Sequence, residues 1–146
     1  MTKLQKYSEY GLLDETWFDT LVDAHNDLED CVDITSVSDT FSLQANTNEQ
    51  TLLEIQPGTK IIRIYNLYLD LNTITKSTTI KVYMKIDGTN YREIPAMTIS
   101  DISPPQTKGV ALKEIVFNTD LKITIKSSTA EGEARDIPYR YFKGEY

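Results

Sequence analysis

The sequence predicts a mainly β protein: an antiparallel β-sandwich or jelly roll of about eight strands, preceded by an N-terminal arm and one helix. The strongest indication is the alternation of apolar and polar residues over residues 78–87, TTIKVYMKID. Successive side chains of a strand point to opposite faces, so this segment has one apolar and one polar face. Similar short segments continue to the C-terminus, separated by turn-forming residues. Two packed sheets explain this pattern, and a small closed barrel is the alternative.

Eight segments after residue 40 have strand character. Asp87-Gly88 begins a short hairpin loop between two of them. Within residues 61–71 the apolar positions change parity near Asn66, which predicts a β-bulge or a strand buried on both faces. Pro95 and Pro138 cannot donate to a ladder, so their strands should lie at an edge or be interrupted there. The predicted strands are 40–46, 50–56, 61–70, 78–87, 90–99, 109–117, 120–127 and 136–143.

Residues 14–32 are the best helix candidate. Asp14 is a suitable N-cap, and Glu15 places a negative charge in the first turn. Carboxylates four residues apart disfavour an isolated helix by a few tenths of a kcal/mol per pair, so this helix should need packing of its apolar stripe. It can pack on its own sheet, form a short oligomerisation helix, or stay a disordered acidic arm. The predicted oligomerisation seam consists of Trp17, Leu21, Ala24 and Leu28.

Composition divides the chain into two parts. Residues 33–40 are rich in Ser, Thr and Asp, which indicates a linker. We therefore predict an N-terminal arm with an acidic helix at 1–36 and a β-sandwich domain at 37–146. Charge follows the same division, because residues 1–39 hold ten acidic and two basic residues, whereas residues 40–146 hold 12 acidic and 13 basic residues.

Several classes of partner are not expected. The sequence has no basic run that would neutralise phosphates, so nucleic acid is not an expected partner. No apolar run reaches the length that spans a bilayer, and the first residues lack the apolar core of a secretory signal. Cys31 is the only cysteine, which excludes an internal disulfide and a zinc site built on cysteines.

The sequence predicts no catalytic, metal or cofactor site. His25 is the only histidine, and Cys31 follows six residues later, about 600° around a helix, so the two side chains would not meet. The acidic residues at 23–33 lack the ligand order of a calcium-binding EF-hand loop, although a cation held between subunits stays open. No glycine-rich phosphate loop is present. We therefore predict a protein that is not an enzyme.

Tyrosine is abundant, with nine residues, most of which fall on predicted strands. Tyr83 lies between Lys81 and Lys85 on the polar face of its strand. An exposed aromatic ring there can stack on a sugar or on another protein, whereas a half-buried ring only fills the sheet surface. Tyr83 is therefore the candidate ligand-facing residue, and a carbohydrate-binding module is the alternative function.

Two segments carry a resemblance. KIDGTNYREI at 85–94 and ITIKSSTAEGEARDIPYRYFKGEY at 123–146 are similar to segments of virion structural proteins from tailed phages and related prokaryotic viruses. The resemblance implies a jelly-roll-type domain displayed on a particle as a symmetric oligomer, and it implies no site residues.

On this basis we predict a non-enzymatic virion structural protein of the capsid-decoration, head-fibre or tail-accessory type. Its expected partners are copies of itself, with a trimer as one option, and other virion proteins. Its expected location is the virion, after assembly in the host cytoplasm.

Overall fold

The computed structural model describes residues 33–104 and 106–146. These residues form ten strands in two five-stranded sheets. One turn of 3-10 helix, Pro95–Met97, lies between the fifth and sixth strands. The predicted helix at 14–32 lies outside the described residues. The strands are β1 (Asp33–Leu43), β2 (Gln50–Ile55), β3 (Ile62–Asp70), β4 (Thr78–Met84), β5 (Arg92–Glu93), β6 (Ile99–Ile102), β7 (Gly109–Leu112), β8 (Ile115–Phe117), β9 (Leu121–Ser127) and β10 (Arg135–Glu145).

The strand order matches the jelly roll. Sheet I has the order β1-β10-β3-β7, with β8 also pairing with β3, and sheet II has the order β2-β9-β4-β5, with β6 also pairing with β4. Strands β7 and β8 pair with opposite ends of β3, so together they form one interrupted edge strand. Strands β5 and β6 do the same along β4. Counting each pair once gives eight strands, which lie along the chain in sheets I, II, I, II, II, I, II and I. This is the jelly-roll order, and it confirms the predicted sandwich.

The prediction of eight continuous strands was wrong, because two of them are interrupted. Pro95 has no N–H to donate, and the 3-10 turn that begins there divides the predicted strand 90–99 into β5 and β6. The predicted strand 109–117 breaks at Lys113 and Glu114, between β7 and β8. Strand β4 ends at Met84, so Ile86, predicted on its apolar face, is instead exposed.

Residues 33–40 form a strand, which corrects their prediction as a linker. They begin β1, which pairs with β10 in sheet I. Ser, Thr and Asp are common in loops, but pairing with a neighbouring strand satisfies the backbone groups and overrides that local preference. Leu43 at the end of β1 is fully buried. The division into parts at 1–36 and 37–146 stays a prediction.

The predicted bulge lies in β3. Ile64 pairs with Lys143 and Leu67 pairs with Tyr141, so Tyr65 and Asn66 together oppose the single residue Phe142. The extra residue resets the parity of β3. Apolar residues on both sides of the bulge are therefore buried: Ile62, Ile64, Leu67 and Leu69.

The core lies between the two sheets. Its most buried side chains are aliphatic and come from the inward positions of the central strands, as the alternation predicts. Tyr139 and Tyr141 face inward together on β10, with ring centroids 6.4 Å apart. The fully buried members include Leu43, Ile64, Leu67, Ile80, Val82, Leu121, Ile123, Ile125 and Ile137.

Glu131 joins two loops at one end of the sandwich. It lies in the β9–β10 loop, and its buried carboxylate accepts hydrogen bonds from Thr75 N (3.0 Å), Thr75 Oγ1 (2.7 Å) and Lys76 N (2.9 Å) in the β3–β4 loop. Burial raises the pKa of Glu131, but these hydrogen bonds and the charge of Arg135 outweigh it. The pKa of Glu131 is therefore below its ordinary value, and the carboxylate stabilises the fold when ionised.

Glu131→Gln should lower the free energy of unfolding at pH 7 by about 1–3 kcal/mol, because hydrogen bonds to a buried charge are lost. Since the native pKa is depressed, this stabilisation is present above the unfolded pKa of about 4.3 and is lost as the pH falls through the native pKa. Urea denaturation between pH 3 and pH 7 measures the difference. The exposed Glu133, which pairs with Arg135 at 3.0 Å, supplies the control Glu133→Gln. An equal effect of both variants would contradict the role of Glu131.

Candidate functional site

The outer face of sheet II carries Tyr83, the predicted ligand-facing residue. Ile80 and Val82 point into the core, so Lys81 and Tyr83 alternate outward on β4. Tyr83 is in register with Glu93 on β5 and with Lys122 on β9. The sheet thus brings together tyrosines, lysines and carboxylates from four strands and the loop before β2.

Tyr83 is half-buried and its hydroxyl is engaged. It donates to Glu49 Oε1 at 2.6 Å, and Thr124 Oγ1 donates to the same oxygen at 2.6 Å. Burial raises the pKa of Glu49, but these two hydrogen bonds and the nearby charges of Lys81 and Lys122 leave the pKa below its ordinary value. Burial and the bond to Glu49 raise the pKa of Tyr83. The pair therefore remains a neutral phenol and a carboxylate near pH 7.

Tyr91 has a similar arrangement beside it. Its hydroxyl donates to Glu54 Oε1 at 2.6 Å, and burial followed by this bond raises the pKa of Tyr91. The Lys122 ammonium lies 4.3 Å from the ring centroid of Tyr91 and 5.2 Å from that of Tyr83. A lysine in this position is favoured by cation–π attraction and covers part of both rings.

Ion pairs complete this face. Lys81 Nζ lies 2.9 Å from Glu93 Oε2, and Thr98 donates to the other oxygen of Glu93 at 2.9 Å. The bond from Lys81, followed by that from Thr98, holds the pKa of Glu93 below its ordinary value. Lys85 pairs with Asp120 at 2.7 Å. The polar groups of this surface are mostly bonded to one another.

Sheet I presents a different outer surface. Seven large apolar or aromatic side chains are exposed among the described residues, and six of them belong to sheet I or flank its strands. The seventh, Ile86, follows β4. The six are Ile34, Ile61, Tyr68, Val116, Phe142 and Tyr146.

Three of these residues are neighbours and form what we call the basal patch: Ile61, Val116 and Tyr146. Ile61 and Tyr146 exchange backbone hydrogen bonds of 3.2 and 3.0 Å. Val116 on β8 is in register with Arg63 on β3. Arg63 is two residues after Ile61, so both residues face the same side of the sheet. The exposed fractions of the three residues are 48%, 54% and 48%. The sequence pattern missed this patch, because Val116 lies in the continuously apolar run Ile115–Phe117, where parity shows no outward face.

Charged and aromatic side chains contact one another beside the basal patch. The Arg63 guanidinium lies 4.8 Å from the ring centroid of Tyr65 and donates to Glu114 Oε2 at 2.8 Å. The hydroxyl oxygens of Tyr65 and Tyr146 are 3.2 Å apart. Gly144 lies beneath these rings, where an added Cβ would come within 3.3 Å of the Tyr65 hydroxyl. The small residue therefore allows the two tyrosines to meet.

The predicted seam, Trp17, Leu21, Ala24 and Leu28, lies outside the described residues, as do His25 and Cys31. Within residues 33–104 and 106–146, no group of three or more His, Cys, Asp or Glu side chains could hold a metal ion. No helix in the same part of the chain is long and apolar enough to cross a membrane.

Comparison with known proteins finds similarity in structure only. No family model matches the sequence, and no curated protein matches it. The structure is similar to a subunit of Bacillus endospore appendages, described as disulfide-linked pili, with a TM-score of 0.48, 16% identity, and coverage of 79% of this chain and 88% of that chain.

Two viral structures are also similar. The capsid of Helicobacter pylori bacteriophage KHP30 has a TM-score of 0.48 and 10% identity, over 77% of this chain and 92% of that chain. The protein of T=1 particles derived from infectious bursal virus has a TM-score of 0.46 and 16% identity, over 80% of this chain but only 31% of that chain.

Tyr83→Phe should raise the pKa of Glu49, because the carboxylate loses one of its two hydroxyl donors. The loss of stability should stay below about 1 kcal/mol, since Glu49 is exposed. Carbon-detected NMR titration of the Glu carboxyls measures the pKa. Tyr146→Phe removes a hydroxyl that contacts no carboxylate and is the control. An unchanged Glu49 pKa in Tyr83→Phe would show that this bond does not form in solution.

Proposed function

We propose that this chain is a non-enzymatic structural subunit of a virion, which assembles with copies of itself and displays a rigid β-sandwich on the particle. The basal patch is the observation that carries the proposal. Exposed apolar side chains that occur singly are normal on a protein surface, but adjacent ones indicate an interaction site. Ile61 and Tyr146 are paired through their backbones, and Val116 lies opposite Arg63 on the next strand, so three half-exposed residues share one end of sheet I.

The contrast between the two outer faces supports this choice. On sheet II, lysines, tyrosines and carboxylates are bonded within the chain, so a partner would have to break those bonds to gain new ones. On sheet I, apolar surface is available and its burial would be favourable by about 25 cal/mol per Å². Association through sheet I is therefore less costly.

Symmetric assembly suits a patch of this kind. Identical subunits form closed oligomers when one surface contacts its equivalent or a fixed neighbouring surface on the next copy. The basal patch is apolar, which allows contact with the same patch of another copy without like-charge repulsion. Arg63 and Glu114 lie beside it and carry opposite charges, so they can pair between copies as well as within one.

We propose the N-terminal seam as a second attachment element. Trp17, Leu21, Ala24 and Leu28 have the spacing of a helical stripe, and the acidic residues at 1–39 give this part of the chain a large negative charge. Such a helix would attach the subunit to other copies, as a trimer for example, or to another virion protein. Capsid decoration, head fibre and tail accessory are the roles that this arrangement suits.

Val116→Asp tests the basal patch. Arg63, the cross-strand neighbour of Val116, already pairs with Glu114, so the new carboxylate would carry a desolvation cost at a subunit contact and should weaken association by at least about tenfold. We expect a lower oligomer mass in light scattering after size exclusion, across a dilution series of the full chain. Ile86→Asp, which changes a residue that is 70% exposed away from sheet I, is the control and should keep the wild-type mass. Equal masses for wild type and Val116→Asp, or a monomeric wild type, would overturn the proposal.

Leu21→Asp tests the seam. The substitution places a charge in the centre of the predicted stripe and should also lower the oligomer mass or release the chain from its partner. Asn26 is about 180° from the centre of the stripe on a helical wheel, so Asn26→Asp adds the same charge outside the seam. The same light-scattering series measures both. If the two variants behave alike, the seam does not contribute to assembly.

A further inference from the structure

The outer face of sheet I contains a shallow depression, away from the basal patch, whose volume is about 840 Å³. Tyr68 lies in its floor and is 51% exposed. On one side of Tyr68, β7 presents only the small residues Gly109 and Ala111 outward. On the other side, Arg140 of β10 is in register with Tyr68, and Pro138 lies two residues before it on the same strand. The depression is therefore open on the β7 side, where the outward residues are too small to cover the ring of Tyr68.

Charged residues of both signs surround this floor. Arg140 is in register with Tyr68, and its guanidinium lies 5.6 Å from the ring centroid of Phe142 and 3.5 Å from Ser36 Oγ. Asp70 Oδ1 accepts the backbone N–H of Asn72 at 2.9 Å, which restrains the carboxylate. Lys108 and Asp39 complete the rim. Two acidic and two basic side chains leave the rim with no net formal charge.

We propose that this depression binds a neutral saccharide, with one sugar ring stacked on Tyr68. The apolar C–H face of a pyranose matches an exposed aromatic ring, and its hydroxyls both donate and accept hydrogen bonds. Asp70 accepts hydrogen bonds, whereas Arg140 and Lys108 donate them. The rim thus supplies both kinds of partner around the ring, as a site of this size and shape requires.

Other ligands fit this surface less well. An extended peptide that adds to a sheet needs a strand edge with unpaired backbone groups. Tyr68 lies on β3, which pairs with β10 on one side and with β7 on the other. An added strand would pair with the outer edge of β1 or β7 and would not lie over the ring of Tyr68. A nucleic acid would need an excess of basic residues, and the rim is balanced in charge.

Tyr68 suits this role better than Tyr83 or Tyr91. The hydroxyls of Tyr83 and Tyr91 are bonded to Glu49 and Glu54, and Lys122 lies over both rings. A sugar could reach those rings only by displacing the lysine. Tyr68, by contrast, is about half exposed and borders an open depression.

The saccharide site and the basal patch can be occupied at the same time. Tyr68 is seven residues from Ile61 along β3, a distance of roughly 23 Å at the rise of a strand. A contact between copies through the basal patch would therefore leave the depression accessible. The saccharide proposal does not depend on the assembly proposal, and the two are tested by different measurements.

The test uses the full-length protein on a glycan array that carries neutral hexose, N-acetylhexosamine and acidic glycans. We expect binding to neutral glycans, with a signal that Tyr68→Ala lowers about tenfold or more through the loss of stacking. Tyr68→Phe keeps the ring and should stay within about threefold of wild type. Ile86→Ala and Tyr83→Ala should leave binding unchanged. Saturation-transfer NMR with the methyl glycoside of the bound sugar should show the strongest transfer to the C–H protons of one ring face.

Three results would overturn the proposal. The first is a wild-type protein that binds no glycan on the array. The second is binding that Tyr83→Ala abolishes and Tyr68→Ala preserves. The third is a fall in oligomer mass caused by Tyr68→Ala, which would identify the depression as a contact between copies. Because Val116→Asp should change mass and leave glycan binding per subunit intact, failure of one proposal is distinguishable from failure of the other.

Discussion

The bulge in β3 is the constraint on which sheet I depends. Tyr65 and Asn66 occupy the space opposite one residue of β10, so the apolar residues on both sides of the bulge can face the core. Without this extra residue, one half of the strand would present its leucines or isoleucines to solvent. The neighbouring edge strand breaks at the same level, between β7 and β8. Tyr65 precedes the change of parity and faces outward with Arg63, and the bulge separates the basal patch from the depression at Tyr68.

The outer faces of the two sheets differ in how many of their side chains are bonded to one another. Sheet II carries long charged side chains and tyrosines, and these satisfy one another through hydrogen bonds, ion pairs and cation–π contacts. Sheet I has such contacts too, at Arg63 and Arg140, but it also carries six exposed large apolar or aromatic residues and only small outward residues on β7. A surface that is already bonded internally gains little from a partner, whereas an uncovered apolar surface gains from burial. Functional surfaces are therefore expected on sheet I.

The tyrosines show what the alternation of residues along a strand can and cannot predict. Alternation along β4 correctly places Tyr83 on the outer face, and the same reasoning places Tyr68 outward on β3. Alternation cannot predict whether another side chain covers an outward ring, because that depends on residues of neighbouring strands. Lys122 comes from β9, 39 residues after Tyr83. Ala111 comes from β7, 43 residues after Tyr68. Both neighbours become adjacent only when the sheets form.

The sequence by itself determined the sandwich class, the bulge near Asn66 and an edge position or interruption at Pro95. Each of these depends on residues close together in the chain, where parity and the missing N–H of proline act locally. The expectation of an edge position or interruption at Pro138 was wrong, because β10 runs through Pro138 without a break between β1 and β3. Only the tertiary structure decided that residues 33–40 form a strand, that 109–117 breaks in two, and that Ile61, Val116 and Tyr146 lie at the same end of sheet I. These features depend on pairing between distant strands, which places residues side by side without leaving a local pattern.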